Sequence, residues 1–159
     1  MTTTNEHSAL LSWFQHQQTP AGWFDLLTIM VDAMIDNAGE EESRPFLLQM
    51  GVTLAEKYPL PVAQTVGELE EHINQQLNLF GWGFVRMAVS HNAIVLHHQA
   101  LPLARDETQQ ARWCTAFSTI LEGVYTQWIQ SQGGEAHVIV TRDRVISYTE
   151  IQFRYHHPR

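Results

Sequence analysis

WCTAFSTILEGVYTQW, residues 113–128, carries the strongest helical pattern in the chain. Its apolar side chains recur at intervals of three and four residues, so they share one face of an α-helix. Gly133 and Gly134 follow, and a glycine in the left-handed conformation commonly ends a helix. The stretch therefore predicts one long amphipathic helix, whose apolar stripe comprises Trp113, Phe117, Ile120, Leu121, Val124, Tyr125 and Trp128.

On both sides of this helix the apolar period changes to two residues, which is typical of β-strands. Consecutive strands joined by a short turn pair antiparallel, so each pair predicts a hairpin. The first hairpin is predicted to comprise Phe84–Ser90 and Ala93–His98, with its turn at His91-Asn92. The second is predicted to comprise His137–Thr141 and Val145–Tyr155, with Arg142-Asp143-Arg144 at or near the turn.

Three further helices are predicted ahead of the first hairpin, because apolar residues at helical spacing run through 23–35, 46–58 and 66–80. Gly51 lies inside the second of them, where a close contact with another helix would explain the missing side chain. Thr65 is expected to cap the third helix, with Glu68 three residues later completing a capping box.

The predicted order is helices, hairpin, long helix, hairpin, and this order predicts an α+β fold. A four-stranded antiparallel sheet is expected to be covered by helices on one face, with the long helix between the two hairpins. Residues 21–159 are predicted to form this single domain. Residues 1–20 are polar, end at Thr19-Pro20 and are predicted to form an N-terminal arm.

The segment Gly81-Trp82-Gly83 lies between the third helix and the first strand. Two glycines allow a sharp turn from helix to strand, and the tryptophan between them can plug the junction. A strand follows this segment where a phosphate-binding loop would need a helix, so the segment predicts a corner and not a phosphate site.

The overall composition favours self-association. Hydrophobic residues make up 44% of the chain and charged residues only 16%, against roughly 25% in an ordinary domain. Some apolar surface is therefore expected to be hidden in contacts between protomers, although a large uncharged surface rich in Gln, Thr, Ser and His would also account for the low charge.

The charge and the N-terminal sequence restrict partners and location. The net charge is −8, and the nine Lys and Arg are scattered, which argues against nucleic acid and against anionic membrane surfaces. Residues 1–18 have no basic segment followed by an apolar core, so they do not resemble a secretory signal. Cys114 is the single cysteine, so no internal disulfide can form. Together these features predict a soluble cytoplasmic protein.

No set of residues predicts catalysis, a metal or a cofactor. The adjacent pairs His97-His98 and His156-His157 cannot each chelate one metal, because neighbours on a strand point to opposite faces. We expect these histidines at the surface. Cys114 lies in an apolar helix and is expected in the core. Glu122 is expected to form a structural ion pair or an interface contact. The sequence therefore predicts that the protein is not an enzyme.

From about Gly81 to the end, the order of features resembles the D subunit of the bacterial cellulose synthase complex. The resemblance covers between half and two thirds of the chain, and the first 60 residues match in helical layout more than in wording. The helix at 66–80 is similar as well. The motifs that carry the resemblance are GWG at 81–83, LEGVY at 121–125, Trp128 with Ser131-Gln132, and VTRD at 140–143.

The resemblance implies a non-catalytic scaffold for cellulose synthesis and secretion into the biofilm matrix. Family members assemble as dimers into a ring-like homo-octamer, a tetramer of dimers, which organises synthase complexes, glucan export and crystallisation. In one mechanism, glucan chains pass through channels lined by N-terminal segments. In the other, a cytosolic scaffold polymerises with a proline-rich accessory protein. The lack of an export signal favours the second mechanism, on the cytoplasmic side of the inner-membrane synthase.

Both mechanisms direct attention to the N-terminal arm. Its first residues could hydrogen-bond sugars through their hydroxyls and backbone, whereas Trp13 and Phe14 could receive a proline-rich segment. The candidate contact residues for glucan or partner are therefore Thr2, Thr3, Thr4, Asn5, Glu6, Trp13 and Phe14.

A more distant resemblance leads to a different function. The succession of helix, Gly-Trp-Gly, hairpin, Cys114-bearing helix with Gly123 and closing hairpin is similar to the vinyl-reductase-type ligand-sensing domain. That resemblance implies the same fold with a small hydrophobic effector bound inside it. Fold analogy alone does not choose between the two functions.

Overall fold

The computed structural model describes residues 21–134 and 137–156 and confirms the predicted α+β fold. Residues 1–20, the predicted arm, lie outside the described residues, so the boundary between arm and domain stays a prediction. The elements are α1 (Ala21–Ala38), α2 (Glu40–Lys57), α3 (Val66–Phe80), β1 (Phe84–Ser90), β2 (Ala93–Gln99), a 3-10 turn (Glu107–Gln109), α4 (Gln110–Gln130), β3 (Ile139–Val145) and β4 (Ile151–His156).

The four strands form one antiparallel sheet in the order β1-β2-β4-β3. The two hairpins therefore join through β2 and β4, which lie at the centre of the sheet. One face of the sheet carries the buried side chains Val85, Leu96 and Phe153. Helix α3 packs against β1, and α4 packs against β3 and β4, so the helical layer covers this face as predicted.

Helix α4 lies between α2 and the sheet, and it is buried along most of its length. A side chain on Gly51 of α2 would overlap the carbonyl oxygen of Ile120 on α4. A side chain on Gly123 of α4 would likewise overlap the carbonyl oxygen of Leu48 on α2. The close helix contact predicted at Gly51 is confirmed, and Gly123 is its counterpart on the other helix.

The predicted cap and corner around α3 are both present. The Thr65 hydroxyl accepts a hydrogen bond from the Glu68 amide at 3.0 Å, while the Glu68 carboxylate accepts from the Gln64 amide and not from Thr65. Gly81 and Gly83 have φ values of 72° and 89°, which favour glycine. Trp82 packs between Phe80 and Phe117, as expected for a side chain that plugs the junction.

The predicted position of the second hairpin turn is wrong. Arg142, Asp143 and Arg144 belong to β3, where Asp143 is the extra residue of a β-bulge. The turn lies at 147–150, where the Ser147 amide donates to the Glu150 carbonyl oxygen and the Ser147 hydroxyl accepts from the Thr149 amide. Three consecutive charged residues resemble a turn in sequence, but a bulged strand can also carry them, here with Asp143 and Arg144 exposed.

Candidate functional site

The candidate contact residues of the N-terminal arm lie outside the described residues. Thr2, Thr3, Thr4, Asn5, Glu6, Trp13 and Phe14 all precede Ala21, the first residue that the structure describes. The candidate site that the structure does describe begins directly after this arm, on α1.

Helix α1 carries more apolar side chains than one buried face can hold. Thr28, Val31 and Ile35 face the domain and are buried. A second set points away from the domain, with exposed fractions of 74% for Trp23, 48% for Leu26, 59% for Ile29 and 61% for Met30. We call these four residues the outer face of α1. A cluster of large exposed apolar side chains commonly marks a contact surface, so the outer face is a surface suited to a partner.

An apolar groove of about 480 Å³ adjoins α1. Leu27 of α1 forms one side of it, and α2 forms another. Phe46, at the rim, is 60% exposed. Methionine and aromatic side chains adapt to varied apolar partners, so the groove could hold an apolar side chain or a small hydrophobic molecule. Its apolar lining consists of Leu27, Phe46, Met50, Leu54, Trp82, Phe117 and Ile120.

The carboxylates of α1 are directed toward arginines of the same chain. Asp25 lies 3.9 Å from Arg105, measured from carboxylate oxygen to guanidinium nitrogen. Asp32 and Asp36 lie 3.9 Å and 2.8 Å from Arg112 of α4. These pairs are partly exposed and contribute little stability. The three aspartates are the charged residues of α1, and none of them lies in the row of Trp23, Leu26 and Met30.

Glu122 forms a structural ion pair, one of the two roles predicted for it. Its carboxylate is buried and accepts a hydrogen bond from the Arg44 guanidinium at 2.6 Å and from the Arg142 amide at 3.1 Å. The Arg142 guanidinium donates in turn to the Ser118 hydroxyl at 3.0 Å. The cluster connects α2, α4 and β3, so Glu122 is committed to holding three elements together.

The prediction of surface histidines is wrong for His98, which is fully buried. Its Nε2 lies 2.7 Å from the Trp82 carbonyl oxygen, which can only accept, so Nε2 carries the proton. Its Nδ1 then accepts from the Tyr125 hydroxyl at 2.5 Å. Burial lowers the pKa of His98 from 6.5 to about 4 and raises the pKa of Tyr125 well above its ordinary value. His97 is on the other face of β2, beside Glu150.

The titratable groups that a catalytic hypothesis would use are engaged in structure. Cys114 is buried as predicted, and burial raises the pKa of its thiol, which disfavours the reactive thiolate. A small pocket of about 220 Å³ is lined by Glu40, Arg44 and Arg112 among others, but Arg44 is paired with Glu122 and Arg112 with Asp36. Within residues 21–134 and 137–156, no group of three or more His, Cys, Asp or Glu is arranged to hold a metal ion.

The outer face of α1 is the feature that the sequence analysis missed. The apolar spacing in residues 23–35 predicts a single stripe. Trp23, Leu26 and Met30 nevertheless share a row of the helix that is distinct from the row of Thr28, Val31 and Ile35. Counting apolar residues around the full helix would have shown two apolar faces.

None of the helices in the part of the chain that the structure describes combines the length and the apolar character that a membrane span requires.

Comparison with known proteins gives a consistent family. The family model for the D subunit of cellulose synthase matches residues 9–156. A cellulose synthase operon protein D of Komagataeibacter xylinus is 31% identical over 111 residues, which cover 68% of this chain and 70% of that protein. A protein of the same name from Komagataeibacter sucrofermentans shows the same identity and coverage, and a second one from Komagataeibacter xylinus is 30% identical.

Proposed function

The chain belongs to the family of cellulose synthase D subunits, and from this premise we propose that it is a non-catalytic scaffold of the bacterial cellulose synthesis and secretion complex. The observation that carries the proposal is the family match, which spans residues 9–156 and so includes all of the described fold. The relatives are named as proteins of the cellulose synthase operon, which supports an association with the synthase.

A scaffold role agrees with the chemistry of the described residues. The acid inside the apolar helix, Glu122, is neutralised by Arg44, and the single thiol, Cys114, is buried. The exposed feature that calls for a partner is an apolar surface on α1 and the adjoining groove. An apolar surface brings macromolecules together, whereas bond chemistry requires converging polar groups.

The proposed scaffold is a homo-octamer, built as a tetramer of dimers, that organises synthase complexes on the cytoplasmic side of the inner membrane. Its assembly is supported by the low share of charged residues and by the exposed outer face of α1. In this proposal the arm meets either a glucan chain, through Thr2–Glu6, or a proline-rich accessory protein, through Trp13 and Phe14.

Two measurements test this function. Light scattering on the purified full chain should give the mass of an octamer. In cells that lack the gene, secreted cellulose should be reduced or poorly ordered, while isolated membranes should still polymerise glucan. Complete loss of polymerisation in those membranes would contradict a scaffold role and indicate a part in the chemistry.

The arm is tested by two changes compared with the full chain. Removing residues 2–6 should lower the amount or order of secreted cellulose if the arm contacts glucan. Replacing Trp13 and Phe14 together by alanine should instead abolish co-purification with the proline-rich protein if they form its site. If neither change has an effect, the arm has no role in either contact.

A ligand-sensing domain is the second candidate, and the groove beside α1 favours it. If a small hydrophobic effector is held between Leu27, Met50 and Phe117, the protein is a sensor of the vinyl-reductase type. Native mass spectrometry of protein purified from its own host would reveal a bound apolar molecule. An octamer without such a molecule would count against the sensor.

A further inference from the structure

The two faces of α1 differ in how they are used. The inner face packs on the domain through Val31 and Ile35, which are 3% and 8% exposed. The outer face carries four large apolar side chains that are between 48% and 74% exposed. Transfer of this much apolar surface out of water is favourable, so a helix built in this way is completed by a second surface.

The charges around the outer face favour a second copy of the same chain as that surface. In a twofold contact each residue near the axis meets its own copy, so a charged residue there would face a like charge. Two copies of a chain with a net charge of −8 also repel each other. The charged residues of α1 are Asp25, Asp32 and Asp36, which lie outside the row of Trp23, Leu26 and Met30 and are 3.9 Å or less from Arg105 or Arg112.

The size of the surface is sufficient for a dimer. A standard interface buries roughly 800 Å² on each partner, of which a little more than half, or about 450 Å², is apolar. Aromatic side chains bury roughly 150 to 250 Å² each. At its observed exposure, Trp23 alone offers on the order of 110 to 185 Å². Leu26, Ile29 and Met30, which are 48% to 61% exposed, each add on the order of 100 Å², so the outer face supplies about the apolar share of a standard interface.

We propose that two copies of this chain pair through the outer faces of α1, with the two helices antiparallel and a twofold axis between Leu26 and Met30. This rests on the assembly proposed above and assigns a surface to it. In this arrangement Leu26 faces Met30 of the partner subunit, and Trp23 faces Ala33 of the partner subunit.

Cysteine cross-linking tests the pairing and its direction in the full chain, with Cys114→Ala as background. Mixing the Leu26→Cys and Met30→Cys proteins should give disulfide-linked dimers on mild oxidation. Trp23→Cys alone and Ala33→Cys alone should not, because an antiparallel contact separates each from its own copy by about 15 Å along the helices, beyond the roughly 7 Å limit for disulfide partners. Mixing the Trp23→Cys and Ala33→Cys proteins should give linked dimers. Val89→Cys, an equally exposed apolar position on β1, should stay unlinked.

The outcomes separate this proposal from the proposed function. Self-linking by Trp23→Cys would show a parallel contact, and equal linking by Val89→Cys would show random collision; either result overturns the pairing. Met30→Glu should raise the concentration at which the assembly dissociates by roughly tenfold or more, while Leu79→Glu, on α3 at 76% exposure, should not. If the unmodified chain assembles and Met30→Glu has no effect, only the α1 pairing fails. If the unmodified chain is a monomer, the proposed scaffold fails with it.

Discussion

Acidification from pH 7.5 to pH 5 is expected to destabilise the folded protein through one residue, His98. Burial lowers the pKa of His98 to about 4, whereas the same side chain in the unfolded chain titrates near 6.5. The hydrogen bond to the Trp82 carbonyl opposes this shift and the neighbouring His97 adds to it, but burial dominates. Between these two pKa values the unfolded state binds a proton that the folded state does not. Stability therefore falls as the pH decreases through this range.

The magnitude follows from the two pKa values. A difference of about 2.5 pKa units corresponds to about 3 kcal/mol, which is lost in full only below pH 4. At pH 5 the loss is about 2 kcal/mol relative to pH 7.5, because the unfolded histidine is then largely protonated and the folded one is not. Such a loss is a large part of the stability of an ordinary domain.

The assay is urea unfolding followed by tryptophan fluorescence at pH 7.5, 6.5, 5.5 and 5.0. One protein concentration is used throughout, because the proposed assembly would also add stability. His98→Gln removes the titrating group, and its amide can still donate to the Trp82 carbonyl. The measured quantity is the free energy of unfolding of the unmodified protein minus that of His98→Gln, in which the other titrating groups cancel because both proteins contain them. This difference should decrease by about 2 kcal/mol between pH 7.5 and pH 5. His97→Gln retains His98, so its stability should still fall between pH 7.5 and pH 5. Parallel curves for the unmodified protein and His98→Gln would refute the reasoning.

Three further changes have expected outcomes in the same unfolding assay. Gly51→Ala should lower the free energy of unfolding by about 3 kcal/mol, because the new methyl group meets the backbone of α4. In the control Gly67→Ala the new methyl group meets only the Thr65 hydroxyl, at 3.8 Å, so this change should be neutral or slightly stabilising. Equal effects of the two changes would contradict the close crossing of α2 and α4. Glu122→Gln should lower the free energy of unfolding by about 2 kcal/mol, which is less than for a fully buried ion pair because the Arg44 side chain is 47% exposed. Asp36→Asn, which weakens the surface pair with Arg112, should lower it by under about 0.5 kcal/mol. The reverse order would show that the surface pair contributes more than the Glu122 pair. Thr65→Ala should cost about 1 kcal/mol and Thr65→Ser much less, and equal losses would mean that the hydroxyl does not act as a cap.

The parts of the fold that depend on local periodicity could be predicted from the sequence. A periodic apolar pattern marks the strands of the first hairpin and the long helix around Phe117. The cap at Thr65 depends on a residue only three positions away. The position of the second turn could not be predicted in this way. A bulge at Asp143 continues β3 through three charged residues, and the hydroxyls of Ser147 and Thr149 form the turn beyond it.

The burial of His98 could have been predicted from strand alternation. The two members of an adjacent pair point to opposite faces, and Leu96 marks the inner face two residues earlier on β2. The residue types alone suggest two surface histidines. The partners that make burial acceptable, Tyr125 and the Trp82 carbonyl, are distant in sequence, so no local pattern reveals them.

The motifs that carry the family resemblance turn out to be structural. In LEGVY, Glu122 ties three elements together, Gly123 lets α4 approach α2, and Tyr125 holds His98. The Gly-Trp-Gly corner meets the same histidine through the Trp82 carbonyl. A match built on such residues establishes the fold and the family, because these side chains are internal to the domain.

The proposed scaffold function would instead depend on surfaces that these motifs do not include. Trp23, Leu26 and Met30 lie at the surface of α1, outside the stretch in which the wording of the motifs matches. Their substitution should change assembly and leave folding intact, whereas changes at Gly123 or Tyr125 should impair folding before assembly can be judged. If Met30→Glu lowered the unfolding free energy of the dissociated protomer as much as Gly51→Ala does, the separation between core motifs and assembly surface would be wrong.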